Sequence, residues 1–495
     1  MKYFFSIILW AFMLLPLAAD NYYIDSRRGN DMNSGLTIDE AWSSIKRVND
    51  TDFNPGDSIL FRRGRKWIGT LRPLGNGEPH KRIVIAAYGK GDAPIIDAEG
   101  QKAEDDFMSS TIILYNQEYW EVRDLEIHNY EKRIVERKSR KAGILILAKD
   151  AGTLHDFKFE NLKIAHINGS LKTRENGGVF FNVIADEDES KRVPTNFDGI
   201  YLNNCYFLNV DRGGFLNQSF WKVRDLNSNF GELCNNKEVN NWFPSQHILI
   251  ENCRFEDVGG NGLVTRVASS PIVQYNVFYK CSARTTGNAS YPYNCDDALW
   301  QYNEACYTVY NDGDIDASGF DSDYLCKNTI IQYNYSHHND WGSLLVCSWG
   351  KLENAFNDGT IIRYNIFQDE KHHMIRFSGN ITNTLIKNNI FVTDKAVDDV
   401  VLWYKHWGEK WPDRTVLEDN IFYNKGSDKF LFSGEETNNS LSNNTLYGIP
   451  YSDYSNFESI PEKDILEAKL KDIEKIGSRR LFEKSKALDV CNIMW

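Results

Sequence analysis

Two aspartates one residue apart, in Gly319-Phe320-Asp321-Ser322-Asp323, are the side chains of this sequence best suited to chemistry on a polar substrate. On a strand, alternate side chains point to opposite faces. With Phe320 directed into a core, Asp321 and Asp323 both face outward, about 6.6 Å apart at roughly 3.3 Å of rise per residue. Inverting hydrolysis of a glycosidic bond uses two carboxyls about 6.5–9.5 Å apart, with a water between them. Like charges that close also push each other's pKa apart, which makes one group an acid and the other a base. The same pair would equally suit calcium, or simply solvate an exposed face. Asp321 and Asp323 are the expected catalytic pair, with His337 as a further acid, base or positioning donor.

Other polar and aromatic residues cluster around this pair in the sequence. Arg266 and Arg376 sit at outward positions of equivalent strands by the same alternation, and Trp349 closes the next strand. His337, His338 and Asp340 lie in the loop between them; stacked coils are about 4.8 Å apart, so a histidine there could reach a sugar held at Asp321. Arg266, Asp340, Trp349, Arg376 and Trp407 are the expected substrate-binding residues. His372 and His373 either line the far end of the groove or are ordinary loop residues. Trp403 reads as core, whereas Trp407 and Trp411, in a loop with Gly and Pro, read as sugar-stacking rings. Asp312-Gly-Asp314-Ile-Asp316 alternates like a calcium loop but lacks the twelve-residue EF-hand pattern, and a solvated turn is the simpler reading. Hydrolysis by paired carboxyls requires no cofactor; a bound calcium ion is compatible with the sequence, and no particular metal ligands are assigned.

The elements that must position these residues follow from a repeat. Two β-formers, a polar residue and Asn recur at Asn252, Asn276, Asn303, Asn334, Asn365, Asn389, Asn420 and Asn444, at intervals of 24, 27, 31, 31, 24, 31 and 24 residues, with earlier copies at Asn161 and Asn204. A unit of about 24 residues with short strands cannot bury its apolar face alone, so units stack and share one core. Asn suits a corner because it tolerates the left-handed conformation, and stacked Asn amides can bond from coil to coil. A second strand series starts at Gly143, Gly178, Gly214, Gly262, Gly319, Gly342, Met374, Val400 and Lys429. The expected fold is all-β: a single-stranded right-handed parallel β-helix of three sheets. Leucine-rich spacing is absent, and a propeller needs longer four-stranded units.

The ends read differently. Met1-Lys2, an apolar run from Tyr3 to Leu17 and Ala18-Ala19 have the form of a secretory signal peptide cleaved near Ala19. Secreted or periplasmic location is therefore expected, with no membrane span. Residues 20–100 are read as an N-terminal cap and first coils, including a helix over 38–49; 101–455 as the β-helix; and 456–495 as a C-terminal helical cap or tail. Net charge is −13, which disfavours nucleic acid as a partner. Aromatic residues make up 13%, and rings with polar edges suit sugars as well as cores. A monomer acting on a polysaccharide or oligosaccharide is the expectation. Of the nine cysteines, Cys205 and Cys253 occupy matching repeat positions and read as stacked core thiols. Cys281, Cys295, Cys306 and Cys326 are disulfide candidates without an assigned pairing.

Two stretches resemble known proteins. Tyr22-Tyr-Ile-Asp-Ser with Gly29-Asn-Asp, Ser34-Gly-Leu, Ala41-Trp and Pro55-Gly-Asp-Ser-Ile-Leu-Phe resembles the start of secreted pectate-lyase-like β-helix proteins. Phe320-Asp-Ser-Asp, Thr329-Ile-Ile-Gln-Tyr-Asn-Tyr-Ser-His and Asn339-Asp-Trp-Gly resemble the fucosidase- and xylanase-type β-helix glycoside hydrolases. The resemblance covers most of residues 21–450 and implies the fold. Because the superfold hosts many reactions, function has to be argued from the site. Three readings stand: a secreted glycoside hydrolase that degrades polysaccharide; a polysaccharide lyase, in which calcium or Arg neutralises a uronate and Arg266, Arg376 or His337 serves the elimination; and a non-catalytic carbohydrate-binding or adhesion solenoid. The Asp pair ranks the hydrolase first.

Overall fold

In a computed structural model of the chain, the described residues are 19–447, except 102–107, 133–138, 225–240, 314–315, 352–354, 394–401, 425–431 and 434–437. Among them, nearly all regular structure is short parallel strands arranged in three long sheets of 14, 13 and 11 strands. The first sheet runs from Asn21–Ile24 to Ser440–Ser442, the second from Lys66–Ile68 to Thr445–Tyr447, and the third from Ser109–Tyr115 to Phe432–Ser433. Each strand pairs in parallel with its equivalents one coil before and one coil after, as in Ile331 beside Trp300 and Ile362. The chain is thus a parallel β-helix, the architecture that its repeat implies.

The alternation of the short strands accounts for the core. In Ile361–Arg363 only the middle residue is buried, and inward residues such as Val273, Trp300, Ile331, Ile362, Ile386 and Leu417 are fully covered. In the second sheet the inward column is aromatic, with Phe207 on Phe255 at 4.5 Å and Phe391 on Phe422 at 4.6 Å between ring centroids. The glycines that open third-sheet strands stand where coils come closest: a Cβ on Gly214 would lie 2.4 Å from the Gly262 carbonyl oxygen.

The asparagine repeat does what its chemistry allows, with one shift of position. From Asn276 onward each buried amide donates to the next: Asn276 to Asn303, Asn303 to Asn334, Asn334 to Asn365, Asn365 to Asn389 and Asn389 to Asn420, each at 3.0 Å, then Asn420 to Asn444 at 2.9 Å. The left-handed residue is the one before, at Tyr275, Tyr302, Tyr333, Tyr364, Asn388, Asp419 and Asn443. Asn161, Asn204 and Asn252 are themselves left-handed, so in their coils Leu162, Cys205 and Cys253 occupy the inward position. The Cys253 amide donates to Asn276 Oδ1 at 2.9 Å and ends the ladder.

Several expectations are corrected. The N-terminal helix spans only Ile45–Asn49, started by Ser44, whose side chain accepts from the Arg47 amide. The third sheet also contains Ser109–Tyr115 and Ser290–Asp296, two strands that the series starting at Gly143 leaves out. Cys205, Cys253, Cys281, Cys295, Cys306, Cys326 and Cys347 are all buried and outside any disulfide, so the four disulfide candidates form no bridge. Trp403 lies outward, beneath Arg376 and Lys405, and Tyr404 takes the core position; Trp411 packs against the core. Residues 1–18, where a signal peptide is expected, and residues 456–495, where a helical cap or tail is expected, lie outside the described residues. Among those described, no helix is long and apolar enough to cross a membrane.

Candidate active site

The candidate site is built on the outer face of the third sheet. One outward column runs Ile113, Leu145, Phe180, Leu216, Val264, Tyr291, in register strand by strand. Asp321 takes the next place, because Ser290 pairs with Phe320, and Leu345, Arg376 and Trp403 follow. An apolar stripe therefore gives way to a charged patch at the coil that carries Asp321. All of these side chains except Trp403 are buried although they face away from the solenoid core, and Met108, Tyr115 and Tyr324 pack against the apolar part of the face.

Asp321 and Asp323 stand together as expected, but closer and deeper. They bring carboxylate oxygens within 4.8 Å of each other, short of the inverting range, because the strand ends at Ser322 and does not hold Asp323 at full extension. Their exposures are 2% and 8%. Asp321 Oδ2 accepts from Asn288 Nδ2 at 3.0 Å, and its Oδ1 is buried without a hydrogen-bond partner. Burial, then the charges of Asp323 and Asp316, hold its pKa far above the usual carboxylate range, against Arg376 and the Asn288 bond. Asp323 Oδ1 accepts from the Tyr324 amide at 2.8 Å and from the Cys347 thiol at 3.3 Å. Burial dominates there too, and with the Asp316 charge raises its pKa to about 6, while those two bonds and Arg174 oppose the rise.

The structure adds residues that the sequence does not single out. Asp316, half-buried, accepts from Thr286 Oγ1 at 3.1 Å and acts on both aspartates through its charge. Arg174, from a distant loop, has its charge stabilised by Tyr291, Asp323 and Asp316 against the cost of burial. Burial, helped by Arg174, lowers Arg212 to about 10. Tyr291 is raised to about 12, mainly by burial, and its hydroxyl accepts from Asn261 Nδ2 at 3.0 Å. Asn261 in turn accepts from the Asn288 amide, so one amide network holds both Tyr291 and Asp321. Beside this patch lies a cavity of about 790 Å³ lined by Leu145, Leu147, Arg174, Phe220, Arg266 and Tyr293, among others. It does not include the two aspartates; Arg174 and Tyr293 link it to Asp323.

The chain is similar to lacto-N-biosidases. It is 26% identical over 515 aligned residues to the lacto-N-biosidase of Bifidobacterium longum subsp. longum, a match covering 90% of this chain and 31% of that protein. The chain thus spans about 31% of the length of the curated relative. The crystal structure of GH136 lacto-N-biosidase from Eubacterium ramulus matches with a TM-score of 0.68 at 26% identity, over 82% of this chain and 68% of that one. Its selenomethionine derivative gives 0.68 at 25% identity. No protein-family profile matches.

The other expected residues divide into two groups. Arg266 lines the cavity, with its guanidinium 5.2 Å from the Tyr293 ring; Arg376 is buried on the Asp321 column; Trp407 lies 5.3 Å from the Tyr324 ring. Trp349 is half-buried against Gly408, in the same turn as Trp407. His337 and Asp340 are not brought to the Asp pair. His337 is on the second sheet, beside Glu304 at 3.1 Å, and Asp340 pairs with Lys371 and accepts from the Tyr310 amide. His372 stacks on Trp341 at 3.8 Å, and His373 is fully buried. In the acidic segment Asp314 and Ile315 lie outside the described residues. Cys347, Asp321 and Asp323 could together approach a cation, but calcium takes oxygen ligands, and burial keeps the Cys347 thiol protonated. Tyr291, Tyr293 and Arg174 escape sequence reading because no repeat signal marks them; Asp316 is visible but reads as a solvated turn.

Proposed function

We propose that this chain is an exported glycoside hydrolase whose acid is Asp323 and whose opposing carboxylate is Asp316. The observation that carries this reading is a division of labour among three aspartates at one site. Asp321 is sealed and kept neutral. Asp323, at about 6, holds a proton in mildly acidic solution and can pass it to the oxygen of a departing sugar. Asp316 retains solvent access and lies near Arg174; as the carboxylate it would either draw a proton from the attacking water or attack the sugar carbon itself. Its charge also helps keep Asp323 protonated, as expected of two carboxyls tuned apart. Arg266, Tyr293, Trp407 and the cavity would hold the sugar. Similarity to lacto-N-biosidases supports glycosidic-bond hydrolysis and makes an oligosaccharide with a terminal lacto-N-biose unit the first substrate to try. Export rests on Met1-Lys2 and the Tyr3–Leu17 run.

The test is a panel containing a chromogenic lacto-N-bioside and a range of polysaccharides, followed by released chromophore, new reducing ends and ultraviolet absorbance of unsaturated uronates. Chromophore or reducing ends without that absorbance, lost in Asp323→Asn, support the proposal. Unsaturated products would overturn it in favour of a lyase, and activity surviving in both Asp323→Asn and Asp316→Asn would overturn the site.

A further inference from the structure

Away from the Asp patch, on the outer face of the second sheet, three residues of different chemistry converge. Glu304 and Cys306 come from one strand, Glu304–Cys306, and His337 ends the strand Tyr335–His337 stacked on it, in register with Cys306. A carboxylate oxygen, a thiol sulfur and an imidazole nitrogen all lie within 4.8 Å of one another. His337 Nε2 is 3.1 Å from Glu304 Oε1, and Cys306 Sγ is 3.9 Å from the same oxygen. Zinc bonds of about 2.0–2.3 Å in tetrahedral geometry put neighbouring ligand atoms roughly 3.3–3.5 Å apart, so these donors need only small movements to share one ion.

Two further observations favour an ion over a simple ion pair. Glu304 Oε2 is buried without a hydrogen-bond partner, on a residue 7% exposed; a carboxylate with one idle buried oxygen is costly, and a metal would satisfy it. His337 Nδ1 lies 2.9 Å from His338 Nδ1. When His337 donates from Nδ1 to His338, its Nε2 lone pair is directed toward Glu304 and Cys306, the arrangement in which an outer partner fixes the ligating tautomer. Tyr335 stacks on the His337 ring at 4.2 Å and restrains it. Tyr307, 40% exposed, stands beside the cluster, with its ring 5.3 Å from His338.

We propose that Glu304, Cys306 and His337 bind a divalent transition-metal ion, zinc by preference, which staples together the two ends of the coil that carries Asp321 and Asp323. Thiolate, imidazole and carboxylate ligands select zinc over calcium or magnesium. The coil leaves the second sheet at Cys306, passes through Ser318–Ser322 and Ile330–Gln332 and returns at His337, so one ion closes the loop that positions both aspartates. Binding releases the Cys306 thiol proton to solvent.

The experiment strips the full chain with a chelator, titrates it with zinc and cobalt(II), and reads metal stoichiometry, thermal midpoint and the sulfur-to-cobalt charge-transfer band. One equivalent is expected, with a higher midpoint and a clear band. Cys306→Ser should abolish the band, His337→Gln should weaken binding more than about 100-fold, and His338→Ala should weaken it about 10–100-fold. Cys347→Ser, at the other thiol–carboxylate cluster, should retain all three signals. No bound metal in the wild-type protein, a band that survives Cys306→Ser, or one lost in Cys347→Ser would each overturn the proposal. If Cys306→Ser does not fold by circular dichroism, unaltered affinity in His337→Gln overturns it instead.

Discussion

Asp323 and Asp321 are the same residue type two positions apart, and their surroundings give them different work. The Cys347 thiol and the Tyr324 amide address Asp323, so its ionised form keeps partial support despite burial. Asp321 has only the Asn288 amide and an oxygen with no partner. Replacing Asp323 with Asn removes the transferable proton and should lower kcat by about 10²–10⁴ with an unchanged circular dichroism spectrum. Asp321→Asn, which mimics a group already neutral, should cost much less. Because Asp323 must be protonated to act, activity should fall as pH rises through about 6. Asp316→Asn should move the surviving limb of the pH–rate profile to lower pH, since the like charge that raises Asp323 is gone. A limb that stays in place would separate Asp316 from the site. The alternation of Gly319–Asp323 predicts two outward carboxyls, and that much is legible in the sequence. Their depth is not, because it depends on how Asn288, Tyr324 and Cys347, from different coils or turns, close around the two carboxyls.

At the scale of the strand and its corner, the sequence announces itself through the amide ladder. Each interior rung is used fully: the Asn334 side chain donates to Asn365 Oδ1 and the Trp300 carbonyl, and its Oδ1 accepts from the Asn303 amide and side chain. Asn334→Ala strands several buried backbone and amide groups, each worth about 1–3 kcal/mol when unsatisfied, and should destabilise far more than Asn444→Ala at the end of the ladder, as read by denaturant midpoints. The one-residue offset at Asn252 is invisible without the structure, because Asn fits both the left-handed corner and the inward rung. One inward column of the core has a polar interruption. The second-sheet phenylalanine column is broken by Ala305 and Ser336, and there Glu370 accepts from Ser343 Oγ, Ser336 Oγ and the Asn339 amide. Burial raises its pKa from 4.5 to about 7 despite these bonds. The folded form therefore keeps a proton that the unfolded chain loses above 4.5, and stability should decline between pH 4.5 and about 7, by about 3 kcal/mol in total. Glu370→Gln should remove this component, so the wild-type advantage in Tm over the variant should shrink as pH rises across that window; a constant difference would count against a protonated Glu370.

For the whole molecule, every strand finds its partners one coil away, so stability is close to a sum of coils and coil–coil interfaces. That organisation makes the period of the repeat a physical length rather than a statistical one. Residues 361–384 form one full circuit: Ile361 pairs with Leu385 on one side and with Ile330 on the other, and the circuit contributes one strand to each main sheet, at Ile361–Arg363, Ile366–Gln368 and His373–Gly379. Deleting all 24 residues joins Thr360 to Leu385, sets Ile330–Gln332 against Leu385–Lys387 and lets Asn334 donate to Asn389 in place of Asn365. The shortened chain should fold, show the same β-sheet spectrum and unfold at a lower temperature. Deleting half the circuit, residues 361–372, would put a third-sheet strand where a first-sheet strand belongs and turn inward residues outward in every later coil; that chain should aggregate or remain unfolded. The same reasoning bears on activity. The full deletion removes Arg376 but neither Asp316 nor Asp323, so a folded product that retains measurable hydrolysis would assign the chemistry to the coil of 316–323, whereas complete loss in a folded product would make the Arg376 coil part of the reacting centre.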